Sequence, residues 1–339
     1  MIKTFYTALI SVVILQACSV NRAVNDEKNS VGNNIYNSEL SEKIISDEIE
    51  FIASTVRKLN IIAFYTTYEF SPGTIIDKSK INEGNLILKA SQINKSTESV
   101  AGTAIVIYYD NLLLGMLTCN HVVDFPDTVI TWYRSRIQGI KSIAIKEKQN
   151  NFVLGLPQSN EVSIVATDKN NDIAFLKQQL KMTGADIHVL NYPIRNSNNL
   201  DWGSRVYIVG YPLGNLMVTD GMVSKTRNGT GGKFLLDASF NKGISGSPVL
   251  ALSHSSPYFE LVGMATSASA KSIEYLKPAE SKEVIKSTEN YTGSMIVARE
   301  RMINYGVTYS VTIDRIQKFL KSNRDLLREQ GFDTDRFFE

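Results

Sequence analysis

The chain has 339 residues, with 36 Lys and Arg against 34 Asp and Glu, a near balance that gives no argument for nucleic acid or a strongly acidic surface as partner. A hydrophobic content of 43% is enough for one large core or two smaller ones. The only cysteines are Cys18 and Cys119, and no CxxC pair or HExxH string occurs, so the sequence supports no metal site, cofactor or disulfide framework.

Residues 1–17 read as an export signal. Lys3 makes a basic start, and Phe5 to Leu15 is mostly apolar but shorter than a bilayer span. Leu15-Gln16-Ala17-Cys18 resembles a bacterial lipobox, in which Cys18 is acylated and becomes the mature N-terminus. Several acyl chains on one cysteine hold a protein on a membrane without a transmembrane helix. Ser19 fits lipoproteins sent to the outer membrane. A lipid-anchored protein of the bacterial cell envelope, facing the periplasm, is expected.

Residues 18–38 are rich in Asn, Ser, Lys and Glu and read as a flexible tether. Over 39–60, Leu40, Ile44, Ile45, Ile49, Ile52, Val56 and Leu59 recur near helical spacing, which predicts an amphipathic helix. From Ile61 onward short β-branched and aromatic runs take over. They are Ile61–Tyr65, Leu86–Leu88, Ala104–Tyr109, Leu112–Thr118, Val129–Trp132, Ile140–Ile145, Val162–Ala166, Ala174–Leu176, Val206–Val209, Phe234–Leu236, Phe259–Met264 and Val307–Ser310. Many short strands with Gly, Asn and Asp punctuation predict an all-β sandwich or barrel. Residues 191–201 read as a linker dividing a unit 39–190 from a unit 202–339, and the polar stretch 267–300 as a surface insertion. Ile313, Ile316, Phe319, Leu320, Leu326 and Leu327 predict a closing helix bent near Asn323.

Three strings carry the chemistry: Thr118-Cys119-Asn120-His121-Val122-Val123, Asn171-Asp172-Ile173-Ala174-Phe175-Leu176, and Gly243-Ile244-Ser245-Gly246-Ser247-Pro248. Each sets one reactive residue beside an apolar run or a glycine turn. In order they supply a base, its orienting carboxylate and a hydroxyl nucleophile, the parts of a His121–Asp172–Ser245 triad. The Gly243 and Ser245 amides are candidate oxyanion donors, since a glycine peptide can turn its N–H toward a reaction centre. Cys119 reads as a small buried filler rather than a nucleophile or ligand. His188 and His254 read as ordinary surface histidines.

On these residues the chain resembles the HtrA (Deg) group of trypsin-like peptidases, family S1. Ala101-Gly102-Thr103 and Thr118–Val123 resemble the group's histidine region, and Asn171–Lys177 its aspartate strand. Gly203–Val206, Gly210–Gly214 and Gly221–Ser224 resemble the opening of its second barrel. Leu236–Pro248 resembles the nucleophile loop, and Leu261–Met264 the strand that pairs with substrate. The resemblance implies two antiparallel β-barrels of the chymotrypsin type, with the triad in the cleft between them and an extended peptide bound near Val262–Thr266. The pocket would involve Ser239, Val262, Gly263 and Met264. Ser239 stands where trypsin-like enzymes carry Asp, which implies a preference for small or apolar residues at the cleaved bond. Lys242, Ile244 and Ser247 depart from the group's pattern, and a positive φ at Ser247 would add strain. A PDZ domain of the usual kind is not expected after the closing helix.

The expected function is therefore a cofactor-free serine endopeptidase acting on envelope proteins. The alternative is an inactive protease-like module that captures peptide strands. An α/β-hydrolase esterase is disfavoured by triad order and by Ser247, which stands where the second glycine of G-x-S-x-G would be. Oligomeric state is left open.

Overall fold

A computed structural model describes residues 42–77, 79, 81–133, 139–156, 161–181, 186–194, 200–226, 232–253, 258–278 and 293–337. The expected export signal, Cys18, the tether and His254 lie outside these residues.

Helix α1 spans Glu42–Ser54 and lays Ile45, Ile49, Ile52 and Ala53 on the core. It stops earlier than its apolar spacing predicts. The Ser54 and Thr55 hydroxyls donate to the Phe51 and Ile52 carbonyls, closing the last turn. Strand β1 follows at Val56–Glu69 and buries Leu59, Ile61, Ala63 and Tyr65 with period two. Val56 and Leu59 continue the helical spacing, and Leu59 also opens the period-two alternation; pairing with a strand on either side decides for β. Leu86–Leu88, expected as a strand, lies in helix α2, Glu83–Lys89. The Asn82 side chain caps it by accepting the Asn85 N–H at 3.0 Å, and Leu86 covers Tyr68, Phe70, Ile140 and Ile143.

The first sheet continues through β2 (Gln92–Asp110), β3 (Leu113–Thr118), the short helix α3 (Asn120–Val123), β4 (Thr128–Trp132), β5 (Ile140–Leu154), β6 (Ser163–Asp168) and β7 (Ile173–Gln179). Its order is β4-β5-β1-β2-β3-β7-β6, antiparallel throughout. A bridge between Phe152 and Glu161, with the Val162 N–H on the Asn151 carbonyl at 2.8 Å, brings the lead into β6 back against β5. The sheet thus curls round a core of residues such as Leu59, Ile105, Leu117 and Phe175.

The second unit is a closed barrel. It contains β8 (Arg205–Gly210), β9 (Met217–Lys225), β10 (Lys233–Ala238), β11 (Pro248–Leu252), β12 (Phe259–Pro278) and β13 (Met295–Thr312), in the order β10-β13-β12-β11-β8-β9. The fold is all-β in two antiparallel units with a helix at each end, as expected. Two segments differ from expectation. The described parts of 267–300 are the outer halves of β12 and β13, which stay paired as a ribbon out to Pro278 and Met295. In the expected linker, Pro193 and Ile194 are tied to Leu261, whose N–H donates to the Pro193 carbonyl at 3.0 Å, and Tyr192 is buried with its hydroxyl on Glu48.

The closing helix breaks at Asn323 into α4 (Ile313–Ser322) and α5 (Arg324–Glu329), where expected. Beyond it the chain returns to the first unit. Phe332 is buried edge-on against Phe175 (4.9 Å between centroids) and Tyr108 (5.3 Å), and Arg336 pairs with Asp110 at 3.0 Å. The tail thereby ties the second unit to the first.

Candidate active site

The acid–base side is built on two strand ends of the first unit. β3 is buried along its whole length and runs through Cys119 into α3. There Val122 and Val123 face the core while His121 is left partly exposed. β7 is equally buried at its start, and Asp172 is the residue just before it. Asp172 takes φ 60°, a left-handed conformation that Asp tolerates better than most residues. The turn before it is organised by Asp168, a residue the sequence reading did not single out. Its carboxylate accepts the Asn170 and Asn171 amides, both at 3.0 Å, and the Asn171 side chain at 2.6 Å. Partial burial works against its ionisation, but these bonds outweigh it and hold the carboxyl below the usual Asp range. The signal was an Asp with Asn at the second and third positions after it, Asp168-Lys169-Asn170-Asn171, which is an Asx-turn pattern.

Asp172 grips His121 twice. One oxygen accepts the His121 backbone N–H at 2.9 Å, and the other lies 2.8 Å from Nδ1. With the Nδ1 proton directed to the carboxylate, the neutral ring presents Nε2 as an acceptor, and Nε2 lies 3.0 Å from Ser245 Oγ. The structure therefore brings together the three residues named from sequence. The Ser245 hydroxyl also lies 2.8 Å from the Thr266 carbonyl. It has one proton for two acceptors, so donation to Nε2 competes with a resting bond to Thr266.

The nucleophile side is built from backbone. The Ile244 N–H donates to the Asn241 carbonyl at 3.2 Å, closing a turn with Gly243 (φ +102°) at its third position, as a type II turn requires. A Cβ on Gly243 would sit 2.2 Å from the Tyr211 carbonyl oxygen; one on Gly246 (φ +92°) would sit 1.9 Å from the Thr103 carbonyl oxygen. The Ile244 side chain is buried in the second barrel. Among the described residues the Gly243 and Ser245 amides have no acceptor, which leaves both able to bind an oxyanion.

Ser247 does not carry the strain that a positive φ would impose, because its φ is negative. Its side chain fits because Gly210 faces it: a Cβ on Gly210 would lie 1.8 Å from Ser247 Oγ. Cys119 is fully buried and its thiol donates to the Ala265 carbonyl at 3.2 Å. Potential ligand atoms of Cys119, His121 and Asp172 lie within 4.8 Å of one another; burial pushes the Cys119 thiol well up, which favours its protonated form as the donor to Ala265, while both His121 ring nitrogens face Asp172 and Ser245. His188 packs on Phe51 and pairs with Asp186 at 3.2 Å.

Residues 102–264 match the model of the trypsin-like peptidase domain. The chain carries a trypsin-like peptidase domain. A serine endoprotease from Yersinia pestis is similar in structure at 16% identity, covering 87% of this chain and 69% of its own, with a TM-score of 0.42. No curated protein sequence matches the chain.

Within this peptidase domain the expected substrate contacts need correction. Val262, Gly263 and Met264 lie on a strand paired with both β11 and β13, and Val262 and Met264 are fully buried. The Gly263 and Met264 main chain is paired on both sides and the Val262 and Met264 side chains are buried, so none of these is free for a peptide; Val262 itself sits at the bulge of the β11 pairing. β11 leaves β12 at Met264, and from Ser267 outward β12 is paired, among the described residues, with β13 alone. Thr266 sits at the intervening bulge, beside Ser245. The open edge thus begins about where the expected strand ends. Sequence could not show this, because it depends on where a neighbouring strand stops. Ser239 is exposed, just after β10.

Proposed function

We propose that the protein is a serine endopeptidase of the HtrA-like kind, cleaving peptide bonds through an acyl-enzyme. One observation carries the reading: Nε2 of His121 lies 3.0 Å from Ser245 Oγ while its Nδ1 lies 2.8 Å from Asp172. Ser245 attacks the scissile carbonyl as His121 accepts its proton, and His121 then returns that proton to the leaving amine. Asp172 holds the ring in the productive tautomer and stabilises the imidazolium. The Gly243 and Ser245 amides take the developing oxyanion. Water repeats the sequence to release the acyl group. A peptide strand adds to β12 from Thr266 outward by main-chain bonds.

Ser239 supplies no carboxylate to pair with Arg or Lys, so small or apolar residues are preferred at the cleaved bond. Acylation at Cys18 places the enzyme on the envelope, on the outer membrane facing the periplasm, where its substrates are other proteins.

Fluorophosphonate labelling of wild type and Ser245→Ala tests the chemistry. Labelling of wild type alone is expected. If neither labels and extended peptides still bind, the inactive peptide-capturing module is correct instead. A cleavage profile dominated by Arg or Lys would overturn the specificity, and a Cys18→Ser variant that remains acylated would overturn the anchor.

A further inference from the structure

The nucleophile loop has four successive carbonyls, from Lys242 to Ser245, and every one is held. Lys242 O accepts the Leu213 N–H at 2.7 Å, Gly243 O the Thr103 hydroxyl at 2.8 Å, Ile244 O the Ser247 N–H at 3.0 Å, and Ser245 O the Thr103 N–H at 2.8 Å. In a planar trans peptide the N–H points opposite to the C=O. Anchoring Lys242 O and Ile244 O therefore sets the direction of the Gly243 and Ser245 amides, the two donors left without an internal acceptor.

Two of those four anchors come from one residue. Thr103 lies on β2, in the first unit, and is fully buried. Its hydroxyl accepts the Tyr211 N–H at 3.0 Å, which commits its own proton to Gly243 O. Through Tyr211 it also steadies the turn whose Leu213 holds Lys242 O. Its carbonyl accepts the Thr118 hydroxyl at 2.7 Å, fixing it to the strand that leads to His121. A glycine has wide backbone freedom, so Gly243 keeps one conformation only while the peptides beside it are held.

We infer that Thr103 is a positioning residue: its hydroxyl and amide clamp the nucleophile loop of the second unit to the first and hold the oxyanion-binding conformation. This rests on the peptidase reading of the same site. Thr103→Val keeps the shape and removes the hydroxyl, whereas Thr103→Ser keeps both of its hydrogen bonds. The valine variant is expected to lose kcat by about 10- to 100-fold on a peptide substrate, with KM changed less than about threefold, since an oxyanion interaction is made only in the transition state. The serine variant is expected to recover most of that loss. Hydrogen exchange read by mass spectrometry on a fragment spanning 241–247 should be about tenfold faster in the valine variant. If the valine variant does not fold, Thr103→Cys, a weaker donor of similar size, reads the same effect under reducing conditions.

A valine variant with kcat within about threefold of wild type, or with unchanged loop exchange, overturns the inference. So does an equal loss in the serine variant. If wild type itself is not labelled by fluorophosphonate, the peptidase reading fails separately. The exchange comparison still decides whether Thr103 clamps the loop: faster exchange supports the clamp and unchanged exchange overturns it.

Discussion

The two halves of the site are held by different means. His121 and Asp172 stand at the ends of β3 and β7, partly open to solvent, and are oriented by side-chain bonds: Asp172 on His121, and Asp168 on the turn beneath. Ser245 and its oxyanion amides sit on a loop whose carbonyls from Lys242 to Ser245 are anchored and whose Gly243 and Gly246 have no room for a Cβ. One half depends on the identity of polar groups and the other on main-chain conformation. The first should fail when the reacting polar groups change at constant shape, and the second when its main chain is displaced, either by a Cβ within the loop or by loss of an anchor such as the Thr103 hydroxyl.

The sharpest way to break the first half is Asp172→Asn. An amide of the same shape would favour the wrong imidazole tautomer, and kcat should fall by about 10⁴-fold with the fold intact. Steady-state kinetics on a peptide substrate beside a melting curve checks this. A loss under tenfold would mean that the carboxylate does not orient the ring. The complementary change in the second half is Gly243→Ala, which alters no reacting group. The added Cβ meets the Tyr211 carbonyl at 2.2 Å in a backbone conformation that L-residues disfavour, so the loop must reorganise. A kcat loss of about 10²- to 10³-fold with little change in KM is expected, the scale of a lost oxyanion donor. If Gly243→Ala raised KM instead, the loop would serve binding rather than transition-state stabilisation.

What sequence could reveal follows the same division. His121, Asp172 and Ser245 were legible because each is a reactive residue at the edge of an apolar run, and folding to the ends of buried strands brings them together. The bend at Asn323 was legible because an Asn, a poor helix former, stands in the gap of the apolar run between Leu320 and Leu326. The end of α1 was not, since Val56 and Leu59 continue its helical spacing and only pairing with β2 and β5 decides for a strand. The ribbon of β12 and β13 was hidden because it has no buried face to impose a period: Tyr275, Leu276, Ile296 and Val297 are exposed, and the strands are held by backbone pairing and cross-strand contacts such as Glu274 with Arg299. Asp168 had a local signal, since its partners Asn170 and Asn171 lie two and three residues on, whereas Thr103 and the opening of β12 at Thr266 gain their meaning from distant partners, which no local pattern encodes.

A smaller effect separates chemistry from support within the first half. Asp168→Asn keeps an acceptor but loses the charge that its turn amides favour. A loosened Asp172 should cost about tenfold in kcat, as modest misplacement of a catalytic group does. Stability provides a second readout. The folded carboxyl sits below the usual Asp range, so its contribution is complete above the unfolded pKa of about 4 and fades as pH falls through the folded value. Wild type should therefore exceed Asp168→Asn in urea midpoint near neutral pH, and the two should converge in strong acid. A gap that widened on acidification would mean that the carboxyl is not held in its charged form.

The smallest change sharpens the second half by improving it. Ser247 is fully buried, and its hydroxyl has no hydrogen-bond partner among the described residues. Its Oγ occupies the space that a side chain on Gly210 would need. A buried hydroxyl without a partner costs about 1–3 kcal/mol relative to water, and removing it leaves a gap smaller than a methyl group. Ser247→Ala should then stabilise the protein by about 1 kcal/mol, seen as a melting temperature higher by about 2 °C. Catalysis should change little, because the Ser247 amide and carbonyl, bonded to Ile244 O and Ala265 N, remain in place. A destabilised alanine variant would mean that the hydroxyl is satisfied in solution, and that the loop rests on one more side-chain bond than its backbone displays.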